Sequence, residues 1–444
     1  MSTTLSFPLI GTQTLPLTRT KVTLLLLVIS CLMLFFHLGS VPLQSWDEAI
    51  YAESAKEMVI SGDYLTPHWN QEKFFHKPPL TIWATAFLFR VFGVNETTAR
   101  SFSALTGIGC ILLTLFIGRL FLHELSAFLA SLILLVSPAF YYLSRTGMMD
   151  VPLTFFLLLA LYAFLKTKDS PRWWILTGVG CGLAVMTKGP AALPVLIAIA
   201  MALLIERKQT IGASYLWLGG AAFLFVAGTW HLVMIYLHGW GFVDEYVGRH
   251  ILMRTATTLE YQSGGFWYYP KYIAIGFSPF SPLVVLSVLQ FRKYRQVPIA
   301  LFCFAAAVLS LYMIVSTKEP QYVLPILPVL ALLVATTRRY TGAFYAILII
   351  IGLIVSVHMS SVGLNNYSGI NLRAREDTGP IQVDMANAPS VLFYTDRRVC
   401  AESDHSMGLM TKCSIKPTNE IVSINGELVY KSITDHNASG SGLD

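Results

Sequence analysis

The sequence is short of charge. Asp, Glu, Lys and Arg make up 13% of its 444 residues, whereas hydrophobic residues make up 55%. A soluble chain carries about a quarter charged residues, so too few polar side chains exist here to cover a water-facing surface. That excludes a soluble multidomain protein and leaves an integral membrane protein. The net charge of +6 is not gathered into a basic patch. It therefore argues for membrane topology and against a nucleic-acid partner. Cysteine is scarce as well, with six residues and no CxxC or metal-type spacing. Cys31, Cys110, Cys181 and Cys303 lie in apolar runs and read as small core residues. Cys400 and Cys413 enclose a short loop in the polar tail, where a disulfide can form if the tail lies outside the cytoplasm. Tandem repeats at periods of 20–50 residues are not evident.

Long apolar runs are what the chain has instead. A span needs about 20 mostly apolar residues. Eleven stretches qualify: 22–40, 101–121, 124–142, 151–167, 173–188, 189–205, 213–236, 269–290, 298–316, 321–337 and 341–360. The first has no convincing small-residue cleavage site and reads as a retained anchor. With the N terminus in the cytoplasm, every short inner turn is basic: Arg19 and Lys21, Arg119, then Lys166, Lys168 and Arg172. Arg207 and Lys208 follow, then Arg292, Lys293 and Arg295, and last Arg338 and Arg339. That agrees with the positive-inside rule and puts residue 361 onward outside, in the periplasm of a bacterial inner membrane.

The outer side carries two long segments, 41–100 and 237–268, rich in Trp, Tyr, His and charged residues. Ala49, Ala52, Ala55 and Met58 recur at helical spacing in the first, which predicts helices lying along the membrane surface. The tail, 361–444, is polar with short β-like runs at 391–395 and 426–430, and predicts a small α/β extramembrane region. The expected architecture is an all-α polytopic membrane domain over 1–360 with that appendage at 361–444. Ionisable residues stay near the span ends. This differs from an ion-coupled carrier, which places charge near the midplane.

Six outer-face motifs can carry chemistry. Asp47 and Glu48, directly after the first span, can act as base, metal ligands or electrostatic stabiliser, or can simply start a helix with Asp47 as N-cap. In His76-Lys77-Pro78-Pro79 the prolines fix the backbone, so Lys77 is held as a phosphate-binding cation should be; a turn with a snorkelling lysine is the alternative. Arg145 and Asp150 sit at the outer end of the third span, where Asp150 before Val151-Pro152 could again be only a cap. Lys188, before Gly189-Pro190, falls in a tight outer turn, where a lysine is usually an interface anchor. His250 and Arg254, spaced i, i+4, share a helix face, and His76 with His250 could supply metal ligands. Lys318 and Tyr322 could hold a phosphate or a sugar hydroxyl, or belong to the aromatic belt. Their shared side is the argument: cations placed where cations are normally few, beside carboxylates, suit a lipid-borne phosphate and an activated acceptor.

In this order the motifs resemble the bacterial lipid-to-lipid glycosyltransferases typified by the aminoarabinose transferase of lipid A. Those are relatives of the dolichyl-phosphate-mannose protein mannosyltransferases in the GT-C class. The resemblance covers residues 20–335. It implies a GT-C fold and transfer of a sugar, with inversion, from a polyprenyl (undecaprenyl) phosphate to lipid A, lipopolysaccharide or another glycoconjugate. It makes Asp47 the principal catalytic carboxylate, Glu48 its companion and Asp150 a second acid. Lys77, Arg254 and Lys318 would hold the donor phosphate, with Arg145, Lys188 and Tyr322 in the same substrate site. Relatives bind a divalent metal through an acidic residue before the Lys-Pro-Pro motif and a downstream histidine. Here that residue is His76, so a metal would rest on His76 and His250. The tail is shorter and the spans fewer than in the aminoarabinose enzyme, which leaves open an O-antigen-modifying or protein O-glycosyltransferase. Outside enzymes, a lipid-linked sugar flippase would need charge-lined spans, and a structural subunit would leave the outer acids and cations without a role.

Overall fold

The computed structural model describes residues 5–8, 14–44, 46–206, 212–256, 264–289, 297–336, 342–365, 381–383, 393–394, 399–400, 419–424 and 427–432. The inner-turn cations Arg207, Lys208, Arg292, Lys293, Arg295, Arg338 and Arg339 lie outside the described residues, as does the Cys400–Cys413 pairing.

The chain is helical almost throughout. After a short hairpin of β1 (Leu5–Pro8) and β2 (Thr14–Leu17) come α1 (Arg19–Phe35) and α2 (Asp47–Ser61). A second hairpin, β3 (His68–Trp69) and β4 (Glu72–Lys73), turns through Asn70 and Gln71, both at positive φ as two-residue hairpin loops demand. α3 (Leu80–Phe92) and α4 (Glu96–Gly118) follow, then α5 (Glu124–Leu135) and α6 (Pro138–Ser144). Next are α7 (Asp150–Lys166), α8 (Trp173–Lys188), α9 (Leu193–Glu206) and α10 (Ala213–Val243). A π-helical segment, Asp244–Met253, leads into the single turn α11 (Arg254–Ala256). The remaining helices are α12 (Tyr268–Gly276), α13 (Ser281–Leu289), α14 (Ile299–Ile314), α15 (Leu327–Val334) and α16 (Gly342–Asn365). In the tail β5 (Ile381–Val383) runs parallel to β6 (Val399–Cys400) and to β7 (Asn419–Ile424), and β7 pairs antiparallel with β8 (Glu427–Ser432).

Among the described residues each expected apolar stretch is mainly helical, but three helices are long and apolar enough to cross a membrane, or five if each bent pair is one span, against the eleven spans expected. Glu96–Gly118, Trp173–Glu206 and Ser214–Ala256 are each long and apolar enough to cross a membrane. The pairs α5/α6 and α12/α13 pass the same test together but are bent by 67° and 112°. At the first bend Pro138 opens α6, where its missing N–H costs nothing. Trp173–Glu206 is a helical run of 34 residues interrupted at Gly189, where two separate spans are expected from the sequence.

The residues divide into two compact units. The first holds residues 1–36, 75–81 and 102–360, the second 37–74, 82–101 and 361–444. In the first unit α8 packs between α7 and α10, and the contacts are made by small residues. A side chain at Gly178 would strike the carbonyl of Gly219, and one at Gly180 the backbone of Ala160. Small residues that let backbones approach are how helices adhere where lipid offers no hydrophobic drive. Arg19 and Arg119, in turns expected from the sequence on the cytoplasmic side, converge on Glu124. In the second unit α2 is buried along most of its length, including Ala49, Ala52, Ala55 and Met58. The predicted helical spacing holds, yet the helix is enclosed instead of presenting one bare face.

Candidate active site

Asp47 and Glu48 stand at the head of α2 in the second unit and have opposite surroundings. The residue before them, Trp46, has φ +72 and makes no side-chain cap bond, so Asp47 opens the helix and is not its N-cap. Glu48 is buried. Its carboxylate accepts from Arg100 Nε at 2.8 Å and Nη2 at 3.1 Å, and from the backbone N–H of Gln44 at 2.7 Å. Arg100 spends its remaining donors on the carbonyls of Leu38 (3.0 Å), Val41 (2.9 Å) and Pro42 (2.9 Å). All five guanidinium N–H groups are thereby used. The loop leading to Asp47 is fixed from below, and Glu48 serves as an anchor. Asp47 itself is half-buried, and its carboxylate has no hydrogen bond or ion pair among the described residues.

The first unit carries two further clusters. In one, Asp150 opens α7 and is buried; Lys188 at the end of α8 donates to its Oδ1 at 2.7 Å. The Lys188 ammonium also lies 5.1 Å from the centroid of the Tyr322 ring, which packs on Tyr312 at 4.8 Å. Arg254 contributes to the electrostatic field at Tyr322 as well. The sequence motifs around Asp150, Lys188 and Tyr322 thus meet. The next residue, Gly189, has φ +55, and a Cβ there would lie 2.5 Å from Tyr246 Oη. Only glycine suits that turn.

Arg145 and Lys318 are occupied elsewhere. Arg145 Nη1 donates to the carbonyls of Met33 and Leu34 at 3.0 Å each, closing the end of α1. Lys318 Nζ donates to the carbonyls of Tyr312 and Met313 at 2.8 Å each, closing the end of α14. A cation at a helix C-terminus satisfies orphan carbonyls and the macrodipole together. Both are buried, so their charges organise helix ends.

The second cluster joins His76, Glu245 and His250. Their ligand atoms all lie within 4.8 Å of one another. Glu245 Oε1 is 3.4 Å from His76 Nε2 and 3.1 Å from His250 Nε2, and the two imidazoles are 3.7 Å apart at their centroids. Burial pushes both histidines below the ordinary imidazole range, and neighbouring Lys77 pushes the same way. The His76 hydrogen bond, opposed by burial, holds Glu245 below the usual carboxylate range. Two neutral imidazoles and an ionised carboxylate are a donor set for a divalent transition metal. His250 Nδ1 is buried with no hydrogen-bond partner among the described residues.

Glu245 and Arg100 are absent from the sequence-derived candidates, each for a physical reason. Residues five apart point in different directions on an α-helix, so Glu245 and His250 do not suggest a pair. They lie on a π-helix, whose wider turn follows i→i+5 bonding. Arg100 reads as an interface cation at the head of a span, and nothing local marks its partner 52 residues away.

Comparison with known proteins places this geometry. The family model "Dolichyl-phosphate-mannose-protein mannosyltransferase" matches residues 76–233. An uncharacterized protein of Aquifex aeolicus (strain VF5) is 31% identical over 323 residues, 70% of this chain and 63% of its own length. An undecaprenyl phosphate-alpha-4-amino-4-deoxy-L-arabinose arabinosyl transferase of Shewanella sediminis (strain HAW-EB3) is 28% identical over 67% of this chain. The chain spans 56% of that relative's length. The crystal structure of ArnT from Cupriavidus metallidurans bound to undecaprenyl phosphate superposes with a TM-score of 0.72, covering 85% of each chain at 19% identity. The fold is therefore that of a polytopic GT-C membrane protein. Within that class, the chain is similar to the aminoarabinose transferases and, over residues 76–233, to the dolichyl-phosphate-mannose-protein mannosyltransferases.

Proposed function

We propose that this protein moves a sugar from undecaprenyl phosphate, or a closely similar polyprenyl phosphate, to lipid A, lipopolysaccharide or another glycoconjugate. The transfer takes place on the outer face of the inner membrane, with inversion at the anomeric carbon. On this reading residues 1–360 carry catalysis, 361–444 form an extracytoplasmic appendage, and the N terminus is cytoplasmic. The observation that carries it is Asp47: a carboxylate with no ion pair among the described residues, on a loop locked by Arg100 and Glu48. The family-model match over residues 76–233 and the name of the Shewanella relative support the donor class.

The chemistry follows from the residues. The acceptor oxygen bonds to the anomeric carbon from one face while the bond from that carbon to the phosphate oxygen breaks on the other. Asp47 takes the proton from an acceptor hydroxyl; an acceptor phosphate needs only orientation. The departing phosphate gains charge, which Lys77 and Arg254 neutralise in a poorly hydrated setting. The Asp150–Lys188 pair, over Tyr322, fixes a further cation without leaving a bare buried charge. His76, Glu245 and His250 suit the divalent metal that the family resemblance implies, and such a metal supplies Lewis-acid stabilisation of phosphate oxygens when bound.

Purified protein in detergent, offered a panel of radiolabelled undecaprenyl-phosphate sugars with an envelope glycolipid extract, tests the reading. Label should enter the glycolipid fraction with stoichiometric release of undecaprenyl phosphate. Absence of both transfer and undecaprenyl-phosphate binding would refute it.

A further inference from the structure

The second unit contains a cavity of about 1020 Å³ that the transfer chemistry does not use. One face of α2 lines it: Glu53, Lys56, Glu57 and Ile60 recur at i, i+3, i+4 and i+7. Glu96 at the head of α4 and Phe393–Tyr394 of the tail complete the wall, with Gln71 from the second hairpin. The polar groups are held in place. Both Glu57 oxygens accept from the Gln71 backbone N–H at 3.1 Å, and Glu96 accepts from the Tyr394 hydroxyl at 2.9 Å. Lys56 donates to the Phe393 carbonyl at 2.6 Å and to Glu53 at 3.3 Å.

This lining selects a ligand class. Three carboxylates face one ammonium, so phosphates and other anions are repelled. An apolar tail would take those carboxylates further out of water without adding a hydrogen bond to them. A hydroxyl both donates and accepts, and the lining offers carboxylate acceptors (Glu53, Glu57, Glu96) together with the side-chain amides of Gln71 and Asn95. Ile60, Val94 and Phe393 add apolar surface for C–H groups between the hydroxyls. The volume sits at the upper end of the range of about 300–1,000 Å³ usual for ligand pockets. The lining face starts at Glu53, six residues beyond Asp47, which is about 9 Å along the helix axis.

We infer that this cavity binds the phosphate-free oligosaccharide part of the acceptor, at sugars removed from the one that reacts. The inference rests on the transferase reading above, and names its acceptor class. The test uses Ile60→Trp and Ser61→Tyr, both exposed positions on the lining, where bulk narrows the cavity without disturbing a core. The probe is a tritiated, dephosphorylated oligosaccharide fraction, released by mild acid from the envelope glycolipids of the source cell, in equilibrium dialysis with the full chain in detergent. Saturable binding by the wild type is expected, weakened at least tenfold in both variants, while undecaprenyl-phosphate binding and thermal stability stay unchanged. In transfer, the acceptor KM should rise at least tenfold with the donor KM constant. No saturable binding by the wild type, or equal binding by the variants, overturns the inference. Binding lost in both variants of a protein that neither transfers sugar nor binds undecaprenyl phosphate upholds the cavity and refutes the transferase reading.

Discussion

Arg100 and Glu48 form a buried, two-pronged ion pair, with side chains 0% and 1% exposed, beneath the turn that presents Asp47. Removing one partner strands a charge in the core, at about 3–5 kcal/mol. Arg100→Ala and Glu48→Ala should each lower the melting temperature steeply, and the double variant should lose much less than the sum. Additive losses in that double-mutant cycle would mean the pair is not coupled.

The histidine–glutamate cluster predicts metal uptake. Zinc at one hundred times its Kd should stabilise the fold by about 2.7 kcal/mol, and Glu245→Ala and His250→Ala should each abolish that shift. Metal content by mass spectrometry and thermal unfolding with and without chelator read it directly. An unchanged melting curve in the presence of zinc would refute the site.

Acid should loosen the same region. Burial favours the neutral imidazole of His76 and His250 in the folded state, so their folded pKa values lie below the unfolded 6.5. Below that value the unfolded chain binds more protons, and stability is lost as pH falls. Metal-free protein should therefore melt at progressively lower temperature between pH 7 and pH 5, and His76→Gln should flatten the slope. The same slope in that variant would assign the effect to other groups.

The turn after Lys188 gives a local prediction. Gly189→Ala meets both a positive φ and the Tyr246 hydroxyl, so a loss of more than about 1 kcal/mol is expected. Adding Tyr246→Phe should recover only the steric part. Stability equal to wild type in Gly189→Ala would show that this turn is not held as described.

Helix was legible because apolar length and polar punctuation are local properties: the predicted stretches are mainly helix among the described residues, and Asp47 and Asp150 each open one. What stayed hidden depended on register and distance. Pro138 helps turn one expected span into two pieces bent by 67°. The Glu245–His250 pairing needed a π-helix, and the Arg100–Glu48 pairing needed α2, the second hairpin and α3 to bring the head of α4 back to the head of α2. The sequence offered Lys318 as a phosphate ligand and Arg145 as a substrate-site residue, and gave no sign of a helix-end role for either. Their contacts with carbonyls at the ends of α1 and α14 are tertiary facts that spacing does not carry.

The most direct measurement is single-turnover sugar transfer by the Asp47→Asn protein beside the wild type, with melting temperature and undecaprenyl-phosphate binding recorded on the same samples. The account predicts a rate at least about a thousandfold lower, from losing a positioned base, with both controls unchanged. Transfer by Asp47→Asn at the wild-type rate would contradict it.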